Sequence, residues 1–184
     1  GVLTRGSFLY DEVRFVLQQE LREPRNYFAI LQAIAGGKTR LNEIKQATGI
    51  EGATAYLDTL QQLHLVERLV PVTETQPQKS RRGIYRLKDH YLRFWFRYVH
   101  PNRSQLERGG AQIILENQVM AEIDHFSSLT FEEVCQQFFW QAGLYGKLPF
   151  VPTKIGNWWN ANEEVDLAVL GEKDAILVEC KWTS

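Results

Sequence analysis

Apolar positions in the first third of the chain recur at helical spacing, and the period then shortens. Leu9, Val13, Val16, Leu17 and Leu21 predict an amphipathic helix over residues 8–22. Pro24 suits the first turn of a second helix, whose apolar face is Tyr27, Ile30, Leu31 and Ile34, and Gly36-Gly37 ends it. Thr39 is placed to cap a short helix carrying Leu41, Ile44 and Ala47, which Thr48-Gly49 breaks. Ala53, Tyr56, Leu57, Leu60 and Leu63 mark the buried face of the next helix. Two strand-length runs follow, Leu65–Val70 and Gly83–Leu87, with a polar loop from Thr73 to Arg82 between them. Short helices followed by a hairpin is the order of a winged helix-turn-helix, expected over residues 23–88.

From Asp89 to about Glu122 the chain is dense in aromatics, through Tyr91, Phe94, Trp95, Phe96 and Tyr98, and then helical again through Ile113, Ile114 and Val119. Residues 89–125 are expected to be a helical connector packing one domain on the other. A helix with Phe131, Val134, Cys135 and Phe138 on one face opens the last section, residues 126–184, and a strand region begins near Phe150-Val151.

The end of the chain holds the most informative pattern. Glu164–Leu170 and Ala175–Trp182 are strand-length runs joined by Gly171-Glu172-Lys173-Asp174, a predicted β-hairpin. Glu-Lys is a poor pair for a two-residue turn, but a four-residue loop keeps the same register. Side chains alternate faces, so Val165, Leu167 and Val169 share one side while Glu164, Asp166 and Ala168 share the other. Symmetric pairing sets Asp166 opposite Glu179 and Glu164 opposite Lys181.

Composition narrows the classes. The 184 residues carry a net charge of −1, which excludes a uniformly basic nucleic-acid binder but not a local patch. The two cysteines, Cys135 and Cys180, have no metal-ligand spacing and read as free thiols of a reducing compartment, so a cytoplasmic location is expected. No apolar run is long enough to span a bilayer, so no membrane partner is expected. The absence of an initiating Met and the end shortly after Cys180 suggest a piece of a longer protein.

Gly36-Gly37-Lys38-Thr39 is a helix-to-helix turn and not a phosphate loop, since Gln32 stands where that loop needs glycine and a helix precedes it. His64, His90, His100 and His125 show no zinc-type pairing, and no serine or cysteine nucleophile motif is present. A basic stripe, Lys79, Arg81, Arg82, Arg86, Lys88, Arg93, Arg97 and Arg103, lies on and after the expected wing. It could contact DNA phosphates, or it could be a solvated loop or a surface for another part of the same protein. The expected recognition helix offers Glu51, Thr54, Asp58, Gln61 and Gln62 and no Arg or Lys, which argues against sequence-specific base readout. The aromatics after Asp89 read as core more than as a base-stacking platform. Trp158 and Trp159 could wall a site or fill a strand-end core.

Asp166, Glu179 and Lys181 remain. Oxygen ligands suit Mg²⁺ or Mn²⁺, and a lysine on the same strand face can orient an attacking water or stabilise a phosphorane oxyanion. A plain edge hairpin with a Glu164–Lys181 salt bridge fits the same spacing.

The ordered series Leu21-Arg22-Glu23-Pro24-Arg25-Asn26-Tyr27, Tyr56-Leu57-Asp58-Thr59-Leu60, Tyr85-Arg86-Leu87-Lys88-Asp89, Phe94-Trp95-Phe96, Gly156-Asn157-Trp158-Trp159, Glu164-Val165-Asp166 and Glu179-Cys180-Lys181-Trp182 covers nearly the whole chain. It resembles the C-terminal half of a prokaryotic, notably archaeal, family of AAA+ ATPases that carry a winged helix and a PD-(D/E)xK nuclease-superfamily domain. The resemblance implies an α+β chain. Residues 1–22 would be a linker helix from an upstream ATPase domain, and residues 126–184 a nuclease-like α/β domain lacking its last helix and strand. It implies that Asp166 and Glu179 bind the metal, that Lys181 is the superfamily lysine, and that Glu132, or its neighbour Glu133, is the helix carboxylate. DNA and the upstream ATPase domain are the implied partners. ATP belongs to that absent domain, and self-association into a homo-oligomer is left open.

Overall fold

The computed structural model describes residues 2, 3, 10, 11, 13, 15, 17, 19, 21 and 24–182. The chain is α+β, with helices and two small antiparallel sheets. It divides into two compact units, one of Gly1–Leu69 with Ile84–Ala121 and one of Val70–Gly83 with Glu122–Ser184.

In the first unit Tyr10, Asp11, Val13, Phe15, Leu17 and Gln19 are helical, and Tyr10, Val13, Leu17 and Leu21 are buried. Leu9 and Val16, also expected on that helix, lie outside the described residues. The helix Pro24–Ala35 buries Ile30, Leu31 and Ile34, as its spacing predicts. It stops where Gly37 takes a φ of 90°, a conformation open to glycine at little cost. The next helix, Leu41–Thr48, differs in its start: Arg40, not Thr39, occupies the cap position. Glu43 Oε2 accepts from the backbone N–H groups of Thr39 and Arg40 at 3.1 and 2.9 Å. The glutamate thus satisfies the N–H of the cap residue and of the residue before it. Ile44 alone of the expected face is buried there. Ala53–Gln62 buries Ala53, Leu57 and Leu60, while Leu63 follows as an exposed cap residue. Strands β1 (Val66–Leu69) and β2 (Ile84–Leu87) pair antiparallel, with Val66 opposite Leu87.

Residues expected to form a connector instead build the core of this unit. His90–Phe94 runs into a π-helical turn, Trp95–Val99, whose Trp95, Phe96, Tyr98 and Val99 are all buried. Trp95 Nε1 donates to the Tyr10 carbonyl at 2.9 Å, and Phe28 packs against Trp95, Phe96 and His100. Trp95, Phe96 and Tyr98 are therefore packed inside and closed to bases, while Tyr91 and Phe94 are half-buried.

The helix Met120–Leu144 runs unbroken through the expected boundary at residue 125, so the change of unit falls inside a helix. In the second unit its Cys135 and Phe139 pack on Ile155, Leu167 and Val169. Val134 and Phe138, expected on the buried face, point outward and are 53% and 63% exposed. The sheet has three strands in the order β3 (Lys154–Trp159), β4 (Glu164–Leu170), β5 (Ala175–Val178), so the expected two-stranded platform gains β3 and β4 becomes central. Gly143 lets the helix end approach Pro152, since a Cβ there would stand 2.6 Å from the proline ring.

The remaining piece of this unit is Val70–Gly83, which the sequence pattern assigned to the wing of the first. Val72 donates its backbone N–H to the Asn157 carbonyl at 2.9 Å, and a Cβ at Gly156 would stand 3.4 Å from Val72. Gly156 and its partner Ala168 face away from the helix-covered side, so the segment covers the second face of the sheet. Ala168 is buried accordingly.

Candidate functional site

The β4–β5 register is the one predicted from the turn. Leu167 pairs with Val178 and Leu170 with Ala175, and Gly171 N–H closes the loop on the Asp174 carbonyl at 2.8 Å. Continuing that register by one residue brings Asp166 level with Glu179. The ladder itself stops at Val178, and Glu164 pairs instead with Trp159 across the other edge. Glu179 and Lys181 thus lie just past β5, exposed, with no hydrogen bond or ion pair to the described residues. The Glu164–Lys181 pairing is not formed as a ladder pair.

Asp166 is half-buried and turns its carboxylate to the chain end: Oδ2 accepts from Cys180 N–H at 2.7 Å. On the helix, Glu132 and not Glu133 meets Asn157, whose Nδ2 donates to Glu132 Oε2 at 3.2 Å. The same amide donates to the Asp166 carbonyl at 2.6 Å. One asparagine therefore joins the helix acid to the backbone of the strand that carries Asp166.

Cys180 lies in the middle of this group. Burial pushes its thiol up to about 12, the adjacent Cys135 thiol and the negative Asp166 and Glu132 adding to the effect. The sequence reading missed Asn157 and the cysteine pair as neighbours of the acids. A β-bulge and a helix face, neither visible in a residue count, bring them in.

Among the described residues no group of three or more His, Cys, Asp or Glu is gathered to hold a metal ion. Mg²⁺, however, is commonly held by one or two carboxylates, with water and substrate phosphate completing its shell. Glu132 and Asp166 fit that donor set in kind, and Asp166 Oδ1 takes no hydrogen bond among the described residues.

The five basic residues predicted to meet DNA separate. Arg82 is engaged within the second unit: Nη2 pairs with Glu74 at 3.0 Å, Nη1 donates to the Trp159 carbonyl at 3.3 Å, and the Arg82 carbonyl accepts from Trp159 Nε1 at 3.2 Å. Trp159 is thereby a clasp and not a wall. Ser80 Oγ donates to the same Glu74 oxygen at 2.7 Å, and the Ser80 and Arg82 contacts together hold the Glu74 carboxyl below the usual range. In the first unit Arg86 pairs with Glu67 through Nε and Nη2 at 3.0 and 2.9 Å. Lys79, Arg81 and Lys88 are exposed. Among the described residues no helix is long and apolar enough to cross a membrane.

Residues 95–184 match DUF234, a family described as archaeal and bacterial proteins of unknown function. The chain is 39% identical over 180 residues to an uncharacterized protein of Methanocaldococcus jannaschii, with 96% of the chain aligned. The chain spans 40% of the length of that relative. No solved structure matches the chain significantly. Through residues 95–184, which hold Glu132, Asn157 and Asp166, the chain is thus similar to an archaeal and bacterial family of unknown function.

Proposed function

We propose that the second unit is a nuclease-like domain of the PD-(D/E)xK type that hydrolyses DNA phosphodiesters with Mg²⁺ or Mn²⁺. In this reading the first unit is a winged helix-turn-helix, and both belong to a longer AAA+ ATPase whose ATP site lies elsewhere. The observation that carries the reading is the linkage of Glu132 to the Asp166 strand through Asn157. It ties the Glu132 carboxylate to the backbone of the strand that carries Asp166, and Glu179 is level with Asp166 in the continued β4–β5 register.

The bound cation would neutralise phosphate charge and acidify a water. Glu132 and Asp166 would hold it, Asp166 through Oδ1. Glu179, exposed just past β5, is the third carboxylate of this reading. Lys181, two residues on, supplies a cation for the developing oxyanion. Lys79 and Arg81 present positive charge to the DNA backbone.

The test is cleavage of duplex and single-stranded DNA by the full-length protein with Mn²⁺. Asp166→Asn and Glu132→Gln should abolish cleavage while the protein stays folded by circular dichroism. Cleavage by either variant at the wild-type rate overturns the assignment.

A second reading is favoured by the Asp166 carboxylate already serving Cys180 N–H. In it the unit binds DNA without cutting, for the ATPase. Lys79→Glu and Arg81→Glu would each weaken binding and lower the salt slope by about 1. Asp166→Asn would leave binding unchanged.

A further inference from the structure

Strand β4 carries one residue too many for its partner. Gly156 pairs with Ala168 but Trp158 pairs with Val165, so two residues of β4, Leu167 and Asp166, stand against one of β3, Asn157. A β-bulge disrupts the ladder locally, and Asn157, opposite it, has no ladder partner and uses its polar groups elsewhere. The Asn157 carbonyl is taken by Val72 N–H at 2.9 Å. The side chain reaches Glu132 Oε2 and the Asp166 carbonyl. A carboxylate and a carbonyl can only accept, so the atom between them must be the NH₂ group with both protons engaged. The amide orientation is therefore set by chemistry.

We infer that Asn157 is a positioning residue for the candidate site, holding Glu132 against the Asp166 strand in the geometry that receives the cation. The inference rests on the reading of Glu132 and Asp166 as metal-binding acids. Asn157 does not touch the reacting groups; it acts through Glu132. Two carboxylates repel each other when drawn together, and a neutral donor fixed to one strand restrains the other acid without cancelling the charge that attracts a cation. The segment Val70–Gly83 completes the device. Its Val72 amide fixes the Asn157 carbonyl, and the Arg82–Trp159 clasp holds the segment two residues further along β3. The same segment carries the exposed Lys79 and Arg81, so a phosphate contact there acts on a strap bonded directly to the residue that orients Glu132.

The experiment is a double-mutant cycle on the full-length protein, read as Mn²⁺ affinity by electron paramagnetic resonance and as DNA cleavage. Asn157→Ala should weaken Mn²⁺ binding about ten-fold, the scale on which ligand-orienting partners act. In the Glu132→Ala background the same change should have no further effect, because the acid it orients is gone. Additive losses in the two backgrounds would show a general structural role and overturn the inference. Wild-type affinity in Asn157→Ala overturns it too, while leaving Glu132 and Asp166 as the proposed acids. Asn157→Ser keeps a small polar residue opposite the bulge but cannot span both acceptors. It should reproduce the loss, and it replaces the alanine variant in the cycle if that one unfolds. Failure of the wild type to bind Mn²⁺ or cleave DNA overturns the metal reading and this inference together.

Discussion

Asp166→Ala is expected to destabilise the second unit before it says anything about catalysis. The carboxylate accepts Cys180 N–H at 2.7 Å, just beyond the last β5 ladder pair at Val178, so it carries the strand end where the sheet no longer does. A hydrogen bond to a charged group contributes about 1.5–3 kcal/mol. Asp166 is only half-buried, so water can reach the released N–H, and the lower end, about 1.5 kcal/mol, is the figure to expect. For a chain of this size that lowers the melting temperature by roughly 3–6 °C. Asp166→Asn keeps an acceptor but loses the charge, and should cost about half as much. Thermal unfolding followed by circular dichroism gives the global number. Amide hydrogen exchange at Cys180 gives the local one, with protection lost in the alanine variant and retained in part in the asparagine variant. An alanine variant with unchanged melting temperature and unchanged Cys180 exchange would refute the capping role. The practical consequence is that asparagine, not alanine, is the substitution for testing chemistry at this position.

Leu167→Ala removes a side chain that is 1% exposed between Ile155, Val169 and the Met120–Leu144 helix, and should cost about 3–5 kcal/mol by urea denaturation. Gly143→Ala should cost about 1–3 kcal/mol by the same assay, because the new methyl would meet the Pro152 ring. Glu74 predicts a pH dependence. Its folded-state carboxyl lies below the ordinary value, so its contribution is present above that value and is lost as the pH falls through the lowered one. Glu74→Gln should therefore lower the melting temperature at pH 7 and make no difference in acid below the lowered value, whereas an equal effect at both would refute the charge-based account.

Much of the chain was legible because the information is local. Ile30, Leu31 and Ile34 share a helix face by spacing alone, and a glycine stops that helix because Gly37 needs positive φ. The β4–β5 register was legible for the same reason: a four-residue loop between two runs allows one symmetric pairing, and period-two alternation then assigns every face. Asp166 as the level neighbour of Glu179 followed from that, whereas Glu132 or Glu133 as the helix acid was implied only by the family resemblance.

Periodicity shows that a residue has a face, but not what will cover it, and the errors come from that gap. Phe131, Val134, Cys135 and Phe138 predicted one buried stripe. A sheet of three strands is only about 10 Å wide, so it covers one stripe of a helix, and Cys135 with Phe139 took it. That choice of stripe also selected Glu132. Thr73–Arg82 looked like a free wing because its composition is polar. Only the folded chain sets Arg82 against Glu74 and Trp159 and makes the loop a cover for β3. The bulge in β4 opposite Asn157 was hidden too, because one extra residue in a strand has no signature until its partner is known. The sequence by itself determined the helices of the first unit, the β4–β5 pairing and the residue types that could meet a cation, all through contacts between near neighbours in the chain. Tertiary structure alone decided which helix glutamate meets Asn157, which arginines are consumed and which asparagine joins helix to strand, because those contacts span from 8 to 77 residues and depend on burial that no local pattern encodes.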